Sequence, residues 1–161
     1  MEKSSSKRAY AVCAAAAMVL FAVQMLYIHA NLEYAGSWGQ TAAISALFAL
    51  AAGGMLCGFV KLKKPTAGEL GLTCSIVCVT ALARVSMLDY VSSDYQSFLV
   101  GWLDVFRTGG FKTLGENVGD YNLIYQYVLL LISKAPLKDL YLVKLFTVLF
   151  DYGLALTMMQ A

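Results

Sequence analysis

From Ala9 to His29 the chain runs for 21 residues without a charged side chain. At about 1.5 Å of rise per residue, a helix over that run is about 30 Å long, which is the thickness of a bilayer's hydrocarbon core. Nothing else in the sequence constrains the fold as strongly. The run follows a basic start, Lys3, Lys7 and Arg8. A secretory signal begins the same way, but this run is long and lacks a small-x-small cleavage pattern. It reads as an uncleaved first span.

Further apolar runs follow. Thr41 to Val60 is rich in Ala and Gly, which suits close helix contact in lipid. Gly68 to Leu88 is a third span, with Arg84 near its end. An Arg there either snorkels toward the interface or faces the protein interior. Tyr121 to Ser133 is a short fourth run, and Asp139 to Met159 a fifth, interrupted by Lys144 and Asp151. Composition agrees: 60% of residues are hydrophobic and 14% charged, against a charged share of about 25% in soluble domains. The expected fold is all-α, a polytopic transmembrane helix bundle of about five spans. Its expected parts are three N-terminal spans over 1–88, an outer loop with interfacial helices over 89–120, and two further spans over 121–161.

The basic residues set the direction. Lys3, Lys7 and Arg8, then Lys61, Lys63 and Lys64, then Lys134 and Lys138 fall in alternate connections on a five-span path. The other connections hold Glu33, Asp89, Asp94, Asp104, Glu116 and Asp120, with only Arg107 and Lys112 for balance. Basic loops stay in the cytoplasm. The N-terminus and the Lys61–Lys64 turn are therefore expected in the cytoplasm, and the stretch 89–120 outside. A net charge of +2 is too weak to argue for nucleic acid. Cys13, Cys57, Cys74 and Cys78 all lie in apolar runs and read as small packing residues, not as a disulfide framework. His29 is the only histidine, and no P-loop, nucleophile elbow or zinc spacing is present.

Chemistry is expected in the outer loop. Ser93-Asp94-Tyr95-Gln96 reads as a capping box, with Ser93 as cap and Gln96 reaching back. Tyr95, Phe98, Leu99, Trp102, Val105 and Phe106 recur at spacings of three and four, with Ser97, Gly101 and Asp104 opposite. That pattern predicts an amphipathic helix in the membrane interface with Trp102 at headgroup depth, ended by Gly109-Gly110. Asp94 would open this helix, where its charge meets the positive end of the dipole and unpaired N–H groups. An Asp there can also serve only to stabilise the helix start. Asp89 reads as a solvated loop carboxylate, Asp104 as the wet side of the helix, and Asp120 as a cap of the next span. Lys144 and Asp151 stand two turns apart on one helix face. Asp151 lies deep, so it needs a partner, a cavity or a proton.

Taken in order, several motifs resemble a known family. They are Ser93-Asp94-Tyr95-x-x-Phe98-Leu99-x-x-Trp102, Gly109-Gly110, Gly119-Asp120-Tyr121-Asn122-x-x-Tyr125-x-Tyr127, Tyr141-Leu142-x-Lys144 and Phe150-Asp151. The set, from about Arg84 to Ala155, resembles the bacterial mannosyltransferase-like membrane proteins of the GT-C glycosyltransferase superfamily, related to the GPI-anchor mannosyltransferases. The resemblance implies inverting transfer of a sugar from a polyprenyl-phosphate carrier to an acceptor at the outer face. It implies Asp94 as the catalytic carboxylate, and Asp120, Tyr121 and Asn122 lining the same site. Lys144 and Asp151 would take a structural or substrate-cavity role. Asp89 and Arg107 are further substrate-binding candidates, and Arg107 and Lys112 could offset charge on the leaving phosphate. Some superfamily members use a divalent metal and others do not; any metal here would sit on Asp94. The implied partners are a lipid-linked sugar donor and membrane lipid. Family members are much longer, so the resemblance also implies a missing C-terminal portion or a partner subunit. Two other readings stand beside it. One is a non-catalytic membrane scaffold derived from such an enzyme. The other is a transporter component that uses Lys144 and Asp151 as a polar pathway.

Overall fold

The computed structural model describes residues 2–33, 36–116, 118–119 and 122–159. Among them all regular structure is helical: α1 (Glu2–Asn31), α2 (Trp38–Lys63), α3 (Ala67–Ser86), α4 (Val100–Gly109), α5 (Leu123–Lys134) and α6 (Asp139–Met158). A π-helical turn (Tyr95–Leu99) leads into α4, and a 3-10 turn (Gly110–Gly115) follows it. The chain forms two compact units, one of Met1–Leu88 with Lys144–Ala161 and one of Asp89–Val143.

In the first unit, helix starts and stops follow local chemistry. Ser37 and Gln40 form a capping box at the start of α2, and Thr66 and Glu69 form another at α3. Each satisfies two backbone donors that a helix start leaves unpaired. Lys64, in the left-handed conformation, ends α2, and Pro65 follows it. The ring of His29 stacks on Trp38 at 3.4 Å, joining the end of α1 to the start of α2. The two helices approach closely at Gly53, where an added Cβ would stand 3.1 Å from the Ala17 methyl. The core is apolar: Cys13 and Leu20 from α1, Ala52, Leu56 and Phe59 from α2, and Val77 and Ala81 from α3 are buried together. Cys57, Cys74 and Cys78 pack against the same core, as small apolar-run cysteines should.

The distal part of α6 completes this unit through Tyr152, Ala155 and Leu156. It runs antiparallel to α3. Arg84 donates to Asp151 at 2.6 Å, and Lys144 donates to the carbonyls of Met87 at 2.5 Å and Leu88 at 2.9 Å. The deep carboxylate of α6 thus finds its partner on α3. Among the described residues four helices are long and apolar enough to cross a membrane: Ser6–Asn31, Trp38–Lys63, Ala67–Ser86 and Asp139–Met158. The chain is an all-α membrane-type bundle.

The run expected as a fourth span behaves differently. It forms α5, of 12 residues, which at about 1.5 Å per residue reaches only about 18 Å. Asn122 caps its start by accepting from the Tyr125 N–H at 3.0 Å. Its end is set just before Pro136, whose ring disfavours continued helix. In this second unit α5 packs on α4. Leu103 and Phe106 meet Leu129, Leu130 and Ile132, with Tyr95, Leu99 and Trp102 against them. Tyr95, Leu99, Trp102 and Phe106, part of the face expected to lie in the interface, therefore wall a protein core.

Candidate active site

The helix that carries Asp94 starts one residue earlier than its sequence suggests. Ser92, not Ser93, is the cap: its hydroxyl accepts from the Tyr95 N–H at 3.2 Å, and its carbonyl accepts from the Gln96 N–H at 3.1 Å. The capping box expected between Ser93 and Gln96 is absent, because with Ser92 as cap the third helical residue is Tyr95, which has no acceptor to reach back. Asp94 is the second residue of the helix. It is exposed, and among the described residues its side chain makes no hydrogen bond or ion pair. It stands in the first turn, where backbone N–H groups and the helix dipole favour a negative charge.

The turn that follows is widened. Val100 donates to the Tyr95 carbonyl, an i→i+5 bond. Such π turns are rare and recur at functional sites. The side chains that face inward keep the spacing of one helical stripe. Tyr95, Leu99, Trp102, Leu103 and Phe106 turn to the core, while Phe98 and Val105, expected on the same apolar face, are exposed. Trp102 lies over Gly119 and so packs inside the unit. Gly110, at φ 63°, ends α4.

The remaining candidates are mostly engaged. Arg107 donates to Asp139 at 2.5 Å, and Asp104 stands 4.0 Å away on the solvent side. The carbonyl of Arg107 accepts from Lys134 at 2.7 Å. Hydrogen bonding to Asp139, then its charge, holds Arg107 further into its charged form. Burial, then the Asp139 carboxylate, pushes the Tyr95 phenol above the usual tyrosine range, with Arg107 pulling the other way. Asp89 is not the solvated carboxylate expected. It is half-buried and accepts from the hydroxyl of Tyr141, which is fully buried. Lys112 is exposed on the 3-10 turn. Asn122 is the cap of α5 described above. Asp120 and Tyr121 lie outside the described residues.

Sequence reasoning missed three partners: Asp139 for Arg107, Tyr141 for Asp89, and Arg84 for Asp151. Only the acidic start of α6 at Asp139 gave a local hint, since an Asp there suits a helix N-terminus. Among the described residues no three His, Cys, Asp or Glu side chains gather to hold a metal ion. Asp94 would offer a metal a single carboxylate. No family model matches the chain, and no curated protein and no solved structure is significantly similar to it.

Proposed function

We propose that the chain is a membrane glycosyltransferase, or its N-terminal portion, that takes a sugar from a polyprenyl-phosphate carrier at the outer face of a bacterial plasma membrane. The observation that carries this reading is Asp94: an exposed, unpartnered carboxylate in the first turn of a capped helix, followed at once by a π turn. A carboxylate so placed is open to an acceptor hydroxyl. The acceptor oxygen attacks the anomeric carbon from the face opposite the carrier, and the bond from that carbon to the phosphate oxygen breaks. The phosphate leaves with the electron pair, and Asp94 takes the hydroxyl proton. Lys112 is the exposed cation of this segment nearest in sequence to Arg107, whose own charge is matched by Asp139. A cation near the departing phosphate lowers the barrier by offsetting its charge.

The antiparallel pairing of α3 and α6 supports an outer position for the whole segment between them. Lys144 and Asp151 of α6 each reach the end of α3, which supports a path on which α6 enters the membrane from the side where α3 leaves it. On this path α5 makes no crossing. On this four-span path Lys3, Lys7 and Arg8 share a side with Lys61, Lys63 and Lys64, which favours the cytoplasm. Residues 89–138 then all face outward, including Lys134 and Lys138, which five spans would put inside.

The test is transfer. Membranes carrying the chain are supplied with a radiolabelled polyprenyl-phosphate sugar, and label in acceptor is counted. Asp94→Asn is expected to lower the rate by about 10²- to 10⁴-fold, the usual share of a positioned proton acceptor. Equal transfer by both proteins removes Asp94 as the base. A non-catalytic scaffold is favoured by a different observation: Arg84, Arg107 and Lys144 are each engaged by protein groups. No transfer by the wild-type chain, with the fold intact, supports that second reading.

A further inference from the structure

We infer that α5 is a membrane-surface anchor, seated with one face in the lipid of the leaflet on whose side α3 ends. Its outward face is apolar. Ile124 is 74% exposed, Leu131 69%, Leu123 53% and Tyr127 46%. These positions recur at three to four residues and make one stripe along the helix. The polar residues of α5 point the other way: Gln126 and Ser133 are buried on its inner side, beside Leu129 and Leu130. Surface helices of water-soluble proteins keep their polar residues outside. The reverse order is the pattern of a helix whose outer solvent is hydrocarbon.

Length and connectivity fix which apolar medium that is. At about 18 Å, α5 is far too short for a core of about 30 Å, so it lies in the boundary rather than across it. The segment that holds it is tied at both ends to membrane-crossing helices, α3 ending at Ser86 and α6 beginning at Asp139. Lipid is the apolar phase always present beside those helices. Lys134, at the end of the helix, donates to the Arg107 carbonyl and keeps its charge off the stripe. This anchor is independent of sugar transfer.

The experiment uses the full chain in phosphatidylcholine liposomes doped with a phosphatidylcholine that carries a diazirine near the top of one acyl chain. After illumination, adducts are mapped by peptide mass spectrometry. Adducts are expected at Ile124, Tyr127 and Leu131, at least five times more often than at Gln126, Leu129 and Leu130. Leu103 and Phe106 are expected to stay unlabelled. Exposed span residues such as Leu72 and Val79 report that labelling worked in the same sample. Two results would overturn the anchor. One is labelling all round α5 by a lipid with its diazirine at the bilayer centre, which means a crossing. The other is an unlabelled α5 beside labelled spans, whether a second copy covers the stripe or water does.

Discussion

Arg84 and Asp151 are 67 residues apart in the chain and 2.6 Å apart in the fold. Each alone would be a charge inside an apolar helix, costing a few kcal/mol. Together they tie α3 to α6. Arg84→Leu is expected to lower stability by about 1–3 kcal/mol, less than for a fully buried pair because both side chains are partly exposed. Thermal unfolding in detergent measures it. Arg84→Leu combined with Asp151→Leu should recover most of the loss, since no charge is then left unpaired. A double variant no better than the single one means that the two are not coupled. Both charges were visible in the sequence, and the need of Asp151 for a partner followed from its depth. Which residue answers that need was not legible, because the pairing is set by how two distant helices pack. The same holds for Tyr141 and Asp89. Tyr95 gives a second test at this scale. Its folded state favours the neutral phenol, so its contribution to stability is complete below the ordinary tyrosine pKa of about 10 and fades as pH rises through its own higher value. A titration at 295 nm, wild type minus Tyr95→Phe, is expected to show a phenol ionising later than an unperturbed tyrosine.

At the scale of elements, the long runs were plain. Hydrocarbon demands about 20 apolar residues, and four stretches answered within a few positions of the observed helices. The pattern of Ser or Thr three residues before Gln or Glu opens two of the observed helices, at Ser37 and Thr66. The same rule misplaced the cap before Asp94, because Ser92 and Ser93 are neighbours and only the backbone path chooses between them. The π turn had no sequence signal, and Phe98 and Val105 lie at the exposed edge of the apolar stripe. The short run at 121–133 was legible and forms α5, but apolar periodicity cannot tell a short core helix from part of a span. The contact of Trp102 with Gly119 makes the packing of this unit testable. Gly119 has φ 68°, and an added Cβ would lie 2.6 Å from the indole ring. Gly119→Ala is expected to cost about 1–2 kcal/mol from backbone strain alone, and more if the ring cannot move. A red-shifted tryptophan emission would mark the displaced ring.

For the whole molecule the decisive quantity is the number of crossings between α3 and α6. The proposed four-span path has none, and the ties at Arg84–Asp151 and Lys144 are consistent with it. Reporter fusions after Lys64, Gly110, Pro136 and Ala161 are expected to read inside, outside, outside and inside. A cytoplasmic signal at Pro136 restores the five-span path and refutes the outer position of residues 123–138. The hold of Lys144 on Met87 and Leu88 has one more consequence. Carbonyls at the end of α3 have no helical partner, and the lysine ammonium answers them where the helix dipole is negative. With Asp151 likewise clasped by Arg84, the two charges of α6 beyond its first turn act as rivets. An ion or proton hopping through the bilayer would find no vacant stepping stone on that helix.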